Sequence, residues 1–404
     1  MVGERKDVEF RTADGLILRG WLFEGPKGGP AVIVNGAFNS PKEIFVDKVA
    51  AWFGRNGVTA LVYDARTLGV SDGLPRNDLD PQKIAEDNHD AVTFLQDESW
   101  VDPNRIAIWG FFWSSGITLE AAAFDKRVAA VIAQGLMPDW CLNPPDQPAI
   151  IARAVEDRAN QLRGNPPDYI PLLGDKGEHL MLFKYLSELT PEQKHNLPAW
   201  AHAAKKDAPT FNDRMTVQSF YRHAKWKPLH LFASVSPTPV MILTPENDEI
   251  VPPELQRSIF DSLQSEQKRF EIVKGRGHMN FLANINLDEL LAGQLAFLKD
   301  RSPATSLASI ALNSSRISFS LSMTSLALQF FTTLSTPVAP GMGSALGPDP
   351  HDGDLRTGDA LAIGNLTNGL GQLEVALEHA GPEAGVPALV LGHVVERLQR
   401  ALQP

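Results

Sequence analysis

The feature that most constrains the fold is the stretch from Arg105 to Gly116, which reads R-I-A-I-W-G-F-F-W-S-S-G. A short apolar run ends at Gly110, and an apolar helical pattern begins at Ser114 and continues through Phe124. This order predicts a buried parallel strand that turns sharply into a helix. The tip of such a turn, two residues after Gly110, is occupied here by Phe112.

Strand and helix patterns alternate along most of the chain before Lys299. Residues 8–13 and 16–23 flank the turn pair Asp14-Gly15 and are predicted to be a hairpin of antiparallel edge strands. The later predicted strands are 31–34, 59–63, 105–109, 128–133, 238–243 and 268–273, and the predicted helices are 41–53, 80–95, 114–124, 253–263 and 286–299. Alternation of this kind indicates crossover units and a parallel sheet that is covered on both sides.

A long segment, residues 136–236, interrupts this alternation between two predicted core strands. It is rich in aromatic residues and proline, and it contains several short helical patterns. Ligands of open α/β sheets bind outside the carboxyl ends of the strands, so we expect a lid over that end. Its aromatic side chains either line an apolar pocket or pack the segment onto the core. The residues considered for the pocket are Trp140, Tyr169, Phe220, Tyr221 and Trp226.

Two polar residues follow the last two predicted strands. Asp248 lies in the run D-E-I-V-P, where a carboxylate can orient an imidazole, and His278 lies on the turn after the final strand. Acyl transfer on a sheet of this type uses a nucleophile, an acid and a histidine in that chain order. The α/β-hydrolase fold has this order, with its nucleophile in an elbow that reads G-x-S-x-G. The sequence therefore predicts this fold, with Phe112 where the elbow serine is expected.

Backbone amides near the same end of the sheet are predicted to form an oxyanion hole. The candidates are Ala37 and Phe38, after the first buried strand, and Trp113, directly after the elbow position. The residues from Asn35 to Asn39 are equally typical of an ordinary tight turn. Asp64 and Arg66, after the next strand, are interpreted as structural partners rather than catalytic groups.

The composition changes after Lys299, because no lysine occurs beyond it and residues 317–348 contain no charged side chain. We expect a low-complexity, partly disordered extension at 301–404. The predicted α/β-hydrolase core is then 1–135 together with 237–300, with the lid insertion at 136–236. We see no chemistry in the extension, which is either a partner-binding segment or no part of the working protein.

The overall composition excludes some classes of function. A formal net charge of −11 without clustered Lys and Arg argues against a nucleic-acid partner. The single cysteine, Cys141, excludes an internal disulfide framework and fits a reducing compartment. The first ten residues lack a signal-peptide core, so we expect a cytoplasmic protein without a membrane span. We expect neither a cofactor nor a metal ion.

Three stretches resemble a known family: Tyr63 to Pro81, Gly164 to Pro171 (G-N-P-P-D-Y-I-P), and Trp226-Lys-Pro228 ahead of Thr238-Pro-Val. They are similar to the fungal α/β-hydrolases encoded in polyketide and toxin gene clusters. This dienelactone-hydrolase-like family includes polyketide transferases and thiohydrolases. The resemblance covers about Val8 to Lys299. It implies a role in secondary metabolism on a polyketide thioester or ester, with a polyketide synthase as a potential partner.

The resemblance also assigns individual residues. The family elbow is similar to G-M-S-F-S; aligned on Gly110, its nucleophilic serine falls on Phe112 and its second serine on Ser114. Asp248 and His278 match the family's acid and base. The sequence therefore departs from the family's triad at one position, that of the nucleophile.

Three hypotheses account for Phe112. In the first, the protein is an enzyme of hydrolysis, acyl transfer or release in which His278, oriented by Asp248, activates water directly or deprotonates a carbon acid. Ser114 is a weaker candidate for a substitute nucleophile, because it lies about half a helical turn from the elbow tip. In the second, the protein is a non-hydrolytic cyclase or isomerase that uses the His–Asp base in an apolar chamber. In the third, it is a catalytically inactive binding protein.

Overall fold

The computed structural model describes residues 4–139, 147–171, 204, 206–248, 250–278, 280–282 and 286–300. These residues belong to the first of the two units into which the chain divides, Met1–Ser318. Trp140, Cys141 and the predicted extension 301–404 lie outside the described residues. The predicted boundaries between core and lid stay predictions.

An eight-stranded sheet forms the centre of the fold, in the order β1-β2-β4-β3-β5-β6-β9-β10. Its strands are β1 (Arg5–Arg11), β2 (Ile17–Phe23), β3 (Gly29–Val34), β4 (Thr59–Tyr63), β5 (Val101–Phe111), β6 (Ala130–Gln134), β9 (Val240–Asn247) and β10 (Lys268–Gly277). The pairs β1·β2 and β2·β4 are antiparallel, and the other pairs of this sheet are parallel. The predicted hairpin is confirmed, but of its two strands only β1 lies at an edge of the sheet, because β2 also pairs with β4.

The helices cover both faces of this sheet. They are α1 (Val46–Arg55), α2 (Pro81–Gln96), α3 (Trp113–Phe124), α4 (Gln147–Leu162), α5 (Val217–Lys225), a 3₁₀ helix (Pro228–Val235), α6 (Pro253–Ser262) and α7 (Leu287–Lys299). The first helix was expected to begin at Pro41. It begins at Val46 because Phe45 has a φ of 68°, which a right-handed helix excludes. Helix α2 begins as expected, since the Asp80 carboxylate accepts the backbone N–H groups of Gln82 and Lys83.

The side chains of β5 contribute to two apolar clusters, one on each face of the sheet. Successive side chains of a strand point to opposite faces of the sheet. Ile106 and Ile108 accordingly join one buried apolar cluster, while Ala107, Trp109 and Phe111 join the cluster on the other face. A strand buried on both sides needs apolar residues throughout, which explains the continuous run before Gly110.

The segment between β6 and β9 contains a feature that the sequence did not predict. Two short strands, β7 (Tyr169–Pro171) and β8 (Arg214–Thr216), pair antiparallel in a separate sheet. Within the part of the chain that the structure describes, no helix is long and apolar enough to cross a membrane.

The last two strands are longer than predicted. Strand β9 continues to Asn247 instead of Leu243, and β10 continues to Gly277 instead of Val273. Asp248 and His278 therefore follow their strands directly. Parallel strands place their carboxyl ends at one edge of the sheet, so these two residues lie on the side where β5 turns into α3.

Candidate active site

The turn between β5 and α3 has the backbone of a nucleophile elbow. Phe112, at its tip, has φ 52° and ψ −113°, a left-handed conformation that non-glycine residues rarely adopt. Such strain amounts to about 1–3 kcal/mol and persists only where neighbouring structure enforces it. The enforcing contacts include a hydrogen bond from Phe112 N–H to Gln134 O at 2.8 Å. A Cβ at Gly110 would lie 2.7 Å from Ser114 O, so this position requires glycine.

The side chain at the tip is a phenyl ring packed against the predicted base. The rings of Phe112 and His278 are nearly parallel, at 17°, and their centroids are 3.6 Å apart. The ring of Phe111 lies 3.9 Å from that of Phe112, and a Cβ at Gly135 would come within 2.5 Å of the Phe112 ring. The ring is therefore held between the imidazole and the turn that follows β6.

Ser114 is buried in the first turn of α3, 2% exposed. Its Oγ accepts the N–H of Phe111 at 2.8 Å and lies 3.1 Å from Phe111 O and 3.3 Å from Asn35 O. These contacts tie the end of β5 to the helix and to the end of β3. They direct the hydroxyl to backbone groups beneath the elbow, which disfavours Ser114 as a substitute nucleophile.

The predicted acid and base form a buried pair. His278 Nδ1 lies 3.0 and 3.1 Å from the two carboxylate oxygens of Asp248, and both side chains are at most 5% exposed. Oδ1 of Asp248 also accepts the backbone N–H groups of Ile250 and Val251 at 3.0 and 2.8 Å. A carboxylate that accepts from Nδ1 fixes the imidazole tautomer with its lone pair on Nε2.

The segments predicted to supply the oxyanion hole meet through their side chains. The rings of Phe38 and Trp113 are 5.2 Å apart and perpendicular. As the first residue of α3, Trp113 has no intrahelical acceptor for its N–H. The orientation of the Ala37 and Phe38 amides toward a substrate stays a prediction.

A histidine that no sequence pattern singled out packs against the same two rings. His223, from α5, lies 5.5 Å from the rings of both Phe38 and Trp113. It is fully buried, and its Nδ1 lies 2.6 Å from Ser219 O. Burial lowers the pKa of His223 from 6.5 to about 4, because the cation cannot be solvated there. The imidazole is neutral at pH 7 and packs as an aromatic ring.

Three asparagines form a closed ring of hydrogen bonds beside the loop of Ala37 and Phe38. Asn77 Nδ2 donates to Asn39 Oδ1 at 3.0 Å, Asn39 Nδ2 to Asn212 O at 2.8 Å, and Asn212 Nδ2 to Asn77 Oδ1 at 3.3 Å. Asn39 and Asn77 have φ values of 50° and 54°, which asparagine tolerates better than most residues. The ring joins three separate segments of the chain. No signal in the sequence pointed to it.

The aromatic residues predicted for a pocket make packing contacts where the structure describes them. Phe220 and Trp226 are buried in the core cluster, and Trp226 Nε1 donates to Glu120 Oε2 at 2.5 Å. The Tyr169 hydroxyl donates to Arg76 O at 2.9 Å. Tyr221 is half-buried beside Lys225, and Trp140 lies outside the described residues. These contacts favour the packing alternative for Phe220 and Trp226.

Asp64 and Arg66 have the structural roles expected of them. Asp64 is fully buried and pairs with Lys42 Nζ at 2.8 Å, which anchors the loop after β3. Arg66 pairs with Asp87 and with Asp14.

Within the described ranges, no group of three His, Cys, Asp or Glu side chains converges as a metal site requires.

The fold and this arrangement define a class of protein. Residues 31–286 match the model of the Alpha/beta hydrolase family, and the chain belongs to that family. Among solved structures, the chain is similar to the alpha/beta hydrolase GrgF from Penicillium sp. sh18, with 39% identity and a TM-score of 0.66 over 74% of this chain and 98% of that one. It is also similar to DcsB, solved in complex with its substrate analogue, with 30% identity and a TM-score of 0.67 over 74% and 100%.

Sequence relatives narrow the class further. The chain is 43% identical over 297 residues to the polyketide transferase ATR5 of Stachybotrys chlorohalonatus, covering 73% of this chain and 97% of the relative. It is 40% identical over 299 residues to a thiohydrolase of Eupenicillium brefeldianum, covering 73% and 94%. The predicted fold class and the resemblance to fungal polyketide transferases and thiohydrolases are thereby confirmed. These relatives support the prediction that the protein is an enzyme.

Proposed function

We propose that this protein is an enzyme of secondary metabolism that cleaves or transfers the acyl group of a polyketide thioester or ester. His278 is the general base, and it acts directly on water or on an acceptor hydroxyl. The observation that carries the proposal is the His278–Asp248 hydrogen bond, which lies beside an elbow that has no nucleophile. The names of the polyketide transferase and thiohydrolase relatives support the substrate class.

The chemistry follows from the positions of the groups. Nδ1–H of His278 donates to Asp248, and Nε2 takes the proton of the attacking oxygen as that oxygen bonds to the thioester carbonyl carbon. The carbonyl oxygen becomes negative and accepts hydrogen bonds from the amides proposed at Trp113 and in the loop of Ala37 and Phe38. When the C–S bond breaks, the leaving sulfur takes the proton from the imidazolium. No acyl-enzyme forms.

The Phe112 ring has a role in this scheme. A cation within about 6 Å of a phenyl centroid is attracted to the face of the ring, by about 0.5–2 kcal/mol. The imidazolium that forms during the reaction lies parallel to the ring, with centroids 3.6 Å apart. The phenyl group therefore stabilises the charged form of the base while occupying the position of the missing nucleophile.

The same geometry supports a second function, a non-hydrolytic cyclisation or isomerisation. A base held against an apolar ring can remove a proton from a carbon acid of the polyketide without any nucleophile. The observation that favours this function is the Phe112 ring itself, which fills space that a tetrahedral intermediate on an elbow serine would need. The two functions differ in product mass, because cyclisation or isomerisation leaves the mass unchanged.

The test uses a short polyketide thioester of N-acetylcysteamine, which can be hydrolysed or can transfer its acyl group to an added alcohol. Thiol release and product mass are followed with the unmodified protein, His278→Ala and His230→Ala. His230 is exposed on the 3₁₀ helix and serves as the matched control. We expect His278→Ala to lower the rate by about 100-fold or more and His230→Ala to leave it unchanged. Thiol release that survives His278→Ala contradicts the proposal, and a product of unchanged mass selects the second function.

A further inference from the structure

Gln256, in the first turns of α6, has no role in the chemistry proposed above. It is fully buried. Its Nε2 donates to Asp248 Oδ2 at 3.0 Å and to Val251 O at 2.8 Å. Its Oε1 accepts the N–H of Leu136 at 2.9 Å and the hydroxyl of Thr244 at 3.0 Å. A side-chain amide has two N–H donors and two acceptor sites, so this one is completely satisfied.

The orientation of this amide is determined by its partners. The backbone N–H of Leu136 is a donor and cannot accept, so the amide atom that faces it must be the oxygen. The NH₂ group is then the part that faces Asp248. The exchange of nitrogen and oxygen that often leaves glutamine assignments ambiguous is excluded here.

Asp248 is consequently held at both carboxylate oxygens. Backbone N–H groups of Ile250 and Val251 bond Oδ1, while Gln256 bonds Oδ2. A carboxylate fixed at one oxygen can still rotate about its Cβ–Cγ bond, whereas one fixed at both cannot. The two-point attachment keeps both oxygens at 3.0–3.1 Å from Nδ1 of His278.

The amide oxygen of Gln256 contacts the turn that supports the Phe112 ring. Leu136 directly follows Gly135, whose backbone lies against the Phe112 ring. Thr244 lies on β9, four residues before the acid. Gln256 thus connects the acid, the strand that precedes it and the turn that supports the phenyl ring.

We propose that Gln256 is a positioning residue, which acts through Asp248 to fix the orientation and tautomer of His278. The inference rests on the proposed function in one respect, that His278 is the base. Gln256 itself touches no reacting atom.

The test is Gln256→Glu, which keeps the shape of the side chain. Among the described residues, the ionisable side chain in hydrogen-bond contact with this position is Asp248, with His278 beyond it. An ionised Glu places a second carboxylate against Oδ2 and repels Asp248, whereas a protonated Glu donates its O–H and restores the bond. We expect the activity of Gln256→Glu, relative to the unmodified protein, to fall by at least about tenfold between pH 5.5 and pH 8, in kcat rather than KM.

Gln294→Glu is the matched control. Gln294 is also a fully buried glutamine, and its amide contacts the neutral groups Trp109 Nε1, Gln134 Nε2 and Leu290 O. The substitution buries the same new carboxyl group against these partners instead of against Asp248. We expect it to lower stability without changing the pH dependence of activity relative to the unmodified protein.

A second readout needs no activity. The Nδ1–H proton of His278, bonded to a carboxylate, gives a far-downfield ¹H NMR signal that is assigned by its loss in His278→Ala. We expect Gln256→Glu to shift or abolish this signal at pH 8 and to recover it at pH 5.5, while Gln294→Glu keeps it at both. An unchanged signal together with a pH-independent relative activity overturns the inference. If the unmodified protein cleaves no thioester, the proposed function fails, and the NMR signal alone still decides the role of Gln256.

Discussion

The phenyl ring of Phe112 and the imidazole of His278 are stacked, 3.6 Å between centroids, at the place where this fold normally brings a nucleophile to its base. The backbone beneath the ring keeps the strained elbow conformation, with φ 52°. Asp248 is hydrogen-bonded to the imidazole and to two backbone N–H groups. The elbow backbone and the Asp248–His278 pair therefore lie beside a tip that carries a phenyl ring instead of a nucleophile.

Phe112→Ser is expected to create esterase activity with a covalent intermediate. The new hydroxyl would lie at the tip of the elbow, in the space beside His278 that the phenyl ring now fills. Phe112→Ala opens the same space without supplying a hydroxyl and is the matched control. Hydrolysis of a p-nitrophenyl ester and intact-protein mass spectrometry should detect an acyl adduct on the serine variant alone. A folded serine variant that stays inert and unlabelled would show that more than the nucleophile has been lost.

Gly135→Ala is expected to be destabilising chiefly because of Phe112. The added Cβ would lie 2.5 Å from the ring, and Gly135 also has a φ of 57°. In a Phe112→Ser background the ring is absent and only the backbone strain remains. Urea denaturation of the four proteins should give a coupling free energy of about 1 kcal/mol or more.

The control for this cycle is Gly164→Ala. Gly164 has a similarly positive φ of 89°, but nothing lies within 4 Å of the added Cβ. Its substitution should lower the free energy of unfolding equally in both backgrounds. Equal effects of Gly135→Ala in both backgrounds would mean that the ring moves away without resistance.

Ser114→Ala is expected to affect stability and not chemistry. The change removes the acceptor of the Phe111 N–H, which is buried, and should lower the free energy of unfolding by about 1–3 kcal/mol. The rate of thiol release per folded molecule should stay the same. Loss of turnover in a variant of unchanged stability would instead identify Ser114 as a nucleophile.

The contribution of His223 to the free energy of unfolding should fall as the pH is lowered. Its pKa is lowered from 6.5 to about 4 in the folded state, so below pH 6.5 the unfolded chain binds a proton that the folded chain does not. This contribution is complete above pH 6.5 and is lost as the pH falls from 6.5 to 4. Between pH 7.5 and pH 5 the loss should be about 2 kcal/mol.

His223→Phe tests this assignment by chemical denaturation at both pH values. The variant keeps an aromatic ring against Phe38 and Trp113. The change in its free energy of unfolding between pH 7.5 and pH 5 should differ by about 2 kcal/mol from that of the unmodified protein. His230→Phe, at an exposed position, should keep it. A His223→Phe profile parallel to that of the unmodified protein would contradict a neutral buried histidine.

The central strands β3, β4 and β6 were predictable because they are buried on both faces and leave continuous apolar runs. The elbow was predictable because the apolar run ends at Gly110, a residue whose lack of a Cβ permits the close approach of α3. The positions of Asp248 and His278 followed from chain order and from the rule that parallel strands end at one edge. These predictions needed only local sequence patterns and the order of the elements along the chain.

The relationships between distant segments were not predictable. The Phe112–His278 stacking joins residues 166 positions apart (278 − 112), and no periodicity encodes such a contact. Gln256 and His223 look in the sequence like ordinary helix residues, and only the packed fold shows their partners. The helix start at Val46 was missed because the φ of Phe45 has no sequence signature.

The ring of Asn39, Asn77 and Asn212 has a consequence for turnover. Asn212 belongs to the segment between β6 and β9, and Asn39 directly follows Phe38. If that segment were displaced during turnover, two of the three hydrogen bonds of the ring would break, and the side chain of Asn39 would lose its partner in Asn212. The position of the segment and the geometry of the proposed oxyanion donors would then change together.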